Sequence, residues 1–342
     1  MHDFYSDTQT RPPRAMRDAA LAVPLGDERH DADPATTELC ARVAEMLGKE
    51  AAVFLPSGTM CNEIAIAVHT RPGDEVICTR ESHIIFAESG GPAALSGVMM
   101  APVDGTRGML APDEVQARLR RPAAHSPRSR LLVAEQTANL AGGAVWPVDQ
   151  LAAVAETAKA AGLATHLDGA RLMNAQVASG VPAADHARGY DSVWIAFTKG
   201  LACPVGAVLA GSRDFIEEAW LLKRRWGGAM RQTGVLTAMC LYALDHMVDR
   251  LAEDHALARG IGLRLSELPG IASVMPVETN IVIADLAADA PDARTVRARL
   301  AERHVTVTVV GDRRLRFVTH LDVGPADARA LVAAMESALA DA

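Results

Sequence analysis

Apolar runs of one strand's length recur along the chain with helix-patterned segments between them. They are AAVFL (51–55), EVICT (75–79), LLVAEQT (131–137), ATHLDGA (164–170), SVWIAFT (192–198) and AVLAG (207–211). These runs are nearly continuous rather than alternating, which a sheet covered on both faces requires. Between them, TTELCARVAEMLG places Leu39, Val43, Met46 and Leu47 on one helical face, with Thr36 or Thr37 to cap its start and Gly48 to end it. PVDQLAAVAETAKAAG repeats the pattern, with Asp149 as cap and Gly162 as terminator. The alternation predicts a doubly wound α/β domain with a mostly parallel sheet. Beyond about residue 234 the rhythm changes. A long amphipathic stretch leads to short strands within 278–286, 304–310 and 315–322 and to helices around 291–303 and 325–340. The pattern divides the chain into a large domain, 1–240, and a smaller α+β domain, 241–342.

Composition narrows the class of function. Among 342 residues, 34 are basic and 42 acidic, a net charge of −8, which disfavours a nucleic-acid backbone as partner. The five cysteines (Cys40, Cys61, Cys78, Cys203, Cys240) form no CxxC pair, so reduced thiols in the cytoplasm are expected, not a disulfide framework or a metal site. The segment MHDFYSDTQTRPP lacks the apolar run of a signal peptide. The stretch Ser192–Ser212 is poor in charge but holds a lysine, a proline and three glycines, which suits two buried strands around a turn rather than a membrane span.

That stretch holds Lys199, one of only four lysines and the sole charge between Asp191 and Arg213. A lysine between apolar strands is desolvated, which lowers its pKa and favours the nucleophilic amine; at a strand end it can equally keep its ammonium in water. Asp168 in HLDGAR falls at the C-terminal end of a strand, the edge where open α/β sheets bind ligands. There it can hold a pyridine nitrogen protonated, or cap a helix. PSGTMCNE (56–63) follows a strand and opens a helix, so small Gly58 and Thr59 let backbone N–H groups reach a phosphate. His83, just after a strand, is a flat side chain able to stack on a ring. Together these residues outline a pyridoxal-phosphate site with a Schiff-base lysine.

Over nearly its whole length the sequence resembles the low-specificity L-threonine aldolases, with the fold type I, aminotransferase-like architecture. The residues that carry the resemblance are DFYSDTQTRP (3–12), GDERHDADP (26–34), GKEAAVFLPSGTMCNE (48–63), HLDGARLMNA (166–175), TKGLACPVGAVLAGSRDFI (198–216), GGAMRQTGVLTA (227–238) and RFVTHLDV (316–323). It implies pyridoxal 5′-phosphate on Lys199, with Asp168 at the ring nitrogen and His83 stacked on the ring. Gly58 and Thr59 would hold the phosphate, with Arg231 contributing from a neighbouring subunit. Ser6, Arg171 and Arg316 would hold the substrate carboxylate. The implied reaction is cleavage of a β-hydroxy-α-amino acid to glycine and an aldehyde. His83 or His125 would take the hydroxyl proton, and the two remain alternatives. A related lyase, transaldolase or aminotransferase on the same scaffold is the competing activity. The resemblance also implies a homodimer or homotetramer with sites at the subunit interface, to which Trp220 and Trp226 could contribute. Three departures bear on substrate identity: His30 where the family has tyrosine, Ala138 where many members carry histidine, and KGLACPVG in place of KGLGAPVG, which sets Ala202 and Cys203 beside the lysine.

Overall fold

The structure, a computed structural model, describes residues 1–30, 32–121 and 123–340. Its centre is a seven-stranded sheet: β1 (Ala51–Leu55), β2 (Glu75–Thr79), β3 (Met99–Val103), β4 (Ser129–Glu135), β5 (Ala164–Gly169), β6 (Ser192–Ala196) and β7 (Ala207–Gly211). The spatial order is β1-β7-β6-β5-β4-β2-β3. Only β7 runs against its neighbours; every other pairing is parallel. The strands are apolar on both sides because both sides are covered. Phe54, Ile77, Leu132, Leu167 and Val208 enter one core with helices Pro34–Met46 and Val148–Ala160. Their neighbours Val53, Leu55, Trp194 and Leu209 enter another, under helices Gly58–His69 and Arg213–Arg225.

Two details differ from the sequence reading. The helix beginning at Pro34 is capped by Asp33, whose carboxylate accepts from Thr36 N at 3.1 Å, rather than by a threonine. The helix at Val148 begins after Pro147, with Asp149 inside its first turn. Both follow from proline, whose fixed φ suits a helix entrance.

A smaller body carries a four-stranded antiparallel sheet: β8 (Ile271–Val274), β9 (Ile281–Leu286), β10 (Thr308–Gly311) and β11 (Arg314–Val318), ordered β10-β11-β9-β8. Helices Leu251–Ser266, Ala293–Glu302 and Pro325–Ala340 cover one face, burying Val282, Ala284, Leu315 and Phe317. Period-two alternation turns Arg316 to the other face, directly across from Ile283. Ala243, Met247 and Leu251 still pack in the large core, whereas Ala258, Ile261 and Leu265 belong to the small one. The two cores therefore meet inside the Leu251–Ser266 helix, and helix Gly234–His246 sits wholly with the large body. The chain start joins the small body: His2 and Asp3 pair in parallel with Val305 and Thr306, and Phe4 is buried in the small core. No helix among the described residues is long and apolar enough to cross a membrane.

Candidate active site

The C-terminal ends of β1, β2, β4, β5 and β6 share one edge of the sheet, where loops can gather side chains over a crevice. A pocket of about 410 Å³ opens there, lined among others by Ser6, His83, Glu135, Asp168, Arg171, Lys199 and Arg316. Lys199 follows β6 on a turn closed by Ala202 N to Lys199 O at 2.8 Å. Its Nζ makes no hydrogen bond among the described residues and lies 5.6 Å from the Trp194 ring. Burial, then repulsion from Arg171, lowers its pKa, which favours the neutral amine.

Asp168 ends β5, buried. Its Oδ2 accepts from Asn62 Nδ2 at 2.8 Å and its Oδ1 from Ala170 N at 3.0 Å. Asn62 Nδ2 also donates to Glu88 Oε1 at 2.8 Å, and the same Glu88 oxygen lies 2.8 Å from His83 Nδ1. A carboxylate can only accept, so His83 carries its proton on Nδ1, leaving Nε2 without a partner among the described residues. Burial opposes a charge on His83, but the surrounding carboxylates, Glu88 first, win and raise its pKa.

Glu135 ends β4, and its two oxygens accept from two parts of the rim: His83 N at 2.8 Å and Asn139 N at 2.9 Å. Burial and then Asp168 push its carboxyl up to about 7. Asn139 in turn accepts from Arg316 Nη1 at 2.8 Å. Arg316 Nε is buried with no partner among the described residues, an unspent donor for an anion. Arg171 spends Nε and Nη2 on Asp7, at 2.8 and 2.7 Å, and only Nη1 remains for a ligand. Asn280 adds a bond to Asp7 at 3.1 Å. Burial alone would raise the Asp7 pKa, yet Arg171 holds it well below the usual carboxylate range. Ser6 is buried at the start of this segment and lines the pocket.

The Gly58–His69 helix points its N-terminus at the same edge. The Gly58 and Thr59 N–H groups donate to no protein acceptor among the described residues. A β-carbon on Gly58 would overlap the Trp194 ring, so only glycine brings this backbone so close. Five expected residues do not line the pocket: Gly58, Thr59, Arg231, His30 and His125. Thr59 presents an exposed side chain, and Arg231 is exposed and 3.7 Å from Asp27. His30 is exposed on the turn Glu28–His30, and His125 is exposed in the loop before β4, at the opposite end of that strand from Glu135. The loop bearing Arg231 is nevertheless built firmly: buried Lys223 pairs with Glu28 at 2.7 Å, and Glu28 accepts from Met230 N.

The sequence profile described as β-eliminating lyase matches residues 3–289. The low specificity L-threonine aldolase of Escherichia coli K12 is 38% identical over 324 residues, 94% of this chain and 95% of that one. The low-specificity L-threonine aldolase 1 of Arabidopsis thaliana is 37% identical over 346 residues, 98% of this chain and 96% of that one. The chain belongs to the low-specificity L-threonine aldolase family. Its fold is shared by the threonine aldolase of Leishmania major, with a TM-score of 0.82 at 21% identity over 98% of this chain and 99% of that one. The aspartate aminotransferase of Thermus thermophilus matches with a TM-score of 0.78 at 17% identity over 98% of this chain and 91% of that one. This is the fold type I architecture of pyridoxal-phosphate enzymes. The residues present fit that cofactor: an amine without a partner, a buried carboxylate at a strand end, unused N–H groups at a helix start, and a histidine held by its far nitrogen.

The departures from the family pattern now have places. Ala138 is buried against Gly108 and Ala141, so a larger side chain there would meet that loop rather than the pocket. Ala202 keeps φ +64°, a left-handed backbone that glycine adopts freely. Glu88, Glu135, Asn62 and Asn139 were missed in the sequence, where lone carboxylates and amides carry no pattern.

Proposed function

We propose that this chain uses pyridoxal 5′-phosphate to cleave L-threonine, L-allo-threonine and related β-hydroxy-α-amino acids into glycine and an aldehyde. The observation that carries this reading is the unpartnered Lys199 amine in one pocket with buried Asp168. When bound, the cofactor supplies an electron sink for the bond broken at Cα. The protein's part is to bind, orient and move protons. Lys199 provides the amine for covalent attachment of the cofactor, and Asp168 offers an anion to its ring nitrogen. Gly58 and Thr59 N–H groups, at the positive end of their helix, suit its phosphate. Arg316, with Ser6 and Arg171 Nη1, binds the substrate carboxylate. This anchoring selects which Cα bond stands across the ring. His83, its Nδ1 proton fixed on Glu88, presents Nε2 as the acceptor for the hydroxyl proton, the arrangement general-base catalysis needs.

Arg231, His30 and His125 serve a site only if a second copy brings them there, so the working form proposed is a homodimer or homotetramer. Trp220 and Trp226, both half-buried, flank the same loop. All five cysteines are free thiols, which supports reading this as an enzyme of a reducing compartment such as the cytoplasm. The deciding experiment incubates cofactor-loaded protein with L-threonine, L-allo-threonine, phenylserine and serine. Glycine and aldehyde released without any keto acid support the reading; turnover that needs a keto acid would assign an aminotransferase instead.

A further inference from the structure

Asn62 lies one turn into the helix that begins at Gly58, and four groups surround its amide. Asp168 and Glu88 accept at 2.8 Å each, Trp194 Nε1 lies 2.7 Å away, and His166 Nε2 lies 3.1 Å away. Indole N–H can only donate and carboxylates can only accept. The amide orientation is therefore forced, with Nδ2 toward the carboxylates and Oδ1 toward Trp194 and His166. His166 must then carry its proton on Nε2. Its Nδ1, 2.7 Å from Ser192 Oγ, accepts the serine proton. Ser192 Oγ, its own proton spent, accepts from His69 Nε2 at 2.8 Å. Every hydrogen bond points the same way, from His69 through Ser192, His166 and Asn62 to Asp168.

We propose that this chain of side chains is a one-way hydrogen-bond wire whose positioning residues fix the Asp168 carboxyl and keep it aimed at the cofactor's ring nitrogen. It rests on reading the pocket as a pyridoxal-phosphate site. Aligned dipoles polarise one another in a low-dielectric interior, so the last donor, Asn62, is strengthened by those behind it. Asn62, His166 and Ser192 are buried, and burial drives the His166 pKa down to about 3, so its ring stays neutral and can both donate and accept. His69, half-buried and stacked on Phe215 at 4.8 Å, ends the chain beside Ser192 at the start of β6, the opposite end of that strand from Lys199. Lys199, Arg171, Glu135 and His83 also act on Asp168 through space, and His83 is tied to the wire because Glu88 Oε1 accepts from both His83 Nδ1 and Asn62 Nδ2.

The test has two arms. Nitrogen-15 NMR of histidine-labelled protein without cofactor should show His166 and His69 as Nε2–H tautomers at neutral pH. A protonated or Nδ1–H His166 would overturn the wire without touching the proposed activity. In the second arm, apoprotein variants are titrated with pyridoxal 5′-phosphate. Asn62→Ala should weaken binding by about tenfold, as loss of a bond to a charged group does, and should shift the pH midpoint of the visible cofactor band. Ser192→Ala, three hydrogen bonds from Asp168, should shift the same midpoint by less while leaving KM for the amino acid within about twofold. Trp194→Phe, which removes the indole donor to Asn62 Oδ1 and keeps an aromatic side chain, serves if Asn62→Ala fails to fold. Wild-type midpoint and affinity in Asn62→Ala, or in Trp194→Phe where it stands in, would defeat the inference, whereas absence of a band in wild type would instead defeat the functional reading.

Discussion

The two ends of the pocket are built differently. The end around Asp168 and His83 is anchored by paired groups: Asp168 to Asn62 and Ala170, His83 to Glu88 and Glu135, Arg171 to Asp7. Toward the expected phosphate and hydroxyl sites, Thr59, Arg231, His30 and His125 stand exposed. The contrast teaches that one chain rigidly supplies the groups that tune the cofactor. The groups that would grip its phosphate or meet a substrate side chain are left to surfaces, as expected if another copy completes the site.

Breaking the buried end should have the largest effects. Lys199→Ala is expected to abolish covalent cofactor attachment, read as loss of the borohydride-reduced adduct by mass spectrometry, with the fold intact by circular dichroism; a persisting adduct would falsify the assignment. Next comes Asp7→Ala, which leaves the buried Arg171 guanidinium unpaired and should cost about 3–5 kcal/mol in denaturant unfolding. The same pair predicts acid sensitivity. The folded pKa of Asp7 is depressed, so its stabilisation is complete above its unfolded pKa near 3.9 and is lost as pH falls toward the folded value.

Glu63 sharpens the comparison with the opposite sign. Its buried carboxyl has no hydrogen-bond partner among the described residues other than the facing Glu88 carboxyl, and burial followed by Glu88 pushes it up to about 8. The folded state therefore keeps a proton that the unfolded chain has lost. Stability should decline as pH rises from about 4.5 to 8, by at most about 1.4 kcal/mol per pH unit. In Glu63→Gln a plot of thermal midpoint against pH should be flatter over that window; an unchanged slope would show that Glu63 does not carry the effect. Smaller still is Ala202→Gly, which relieves a left-handed residue and should raise unfolding stability by about 1 kcal/mol at most, read as a slightly higher thermal midpoint. At the exposed end, His30→Ala and His125→Ala should leave unfolding within about 0.5 kcal/mol of wild type. Any loss of activity in either, with the fold unmoved, would mark a contribution made across subunits.

The fold was legible wherever burial on both faces wrote continuous apolar runs. Met99–Val103 escaped notice because it is an edge strand containing Pro102, a residue tolerated there because one side of the strand needs no ladder bond. The long stretch after residue 234 read as one helix-like element; the structure breaks it between His246 and Leu251. At the site, Lys199 and Asp168 stood out because charge in an apolar run is costly. Glu135 sits in a similar run, LLVAEQT, yet its task is to hold two backbone N–H groups that no linear pattern reveals. Arg171 was expected to face the substrate, and only three-dimensional proximity could show that Asp7, 164 positions away, takes two of its donors.

The pairing of His2 and Asp3 with Val305 and Thr306 has a consequence for how the molecule is made. Ser6 and Asp7 leave the ribosome well before Val305 and Thr306, so the strand that holds their neighbours His2 and Asp3 emerges only after the central sheet has been made. The crevice is thus closed by two segments made far apart in time, the later one docking the earlier.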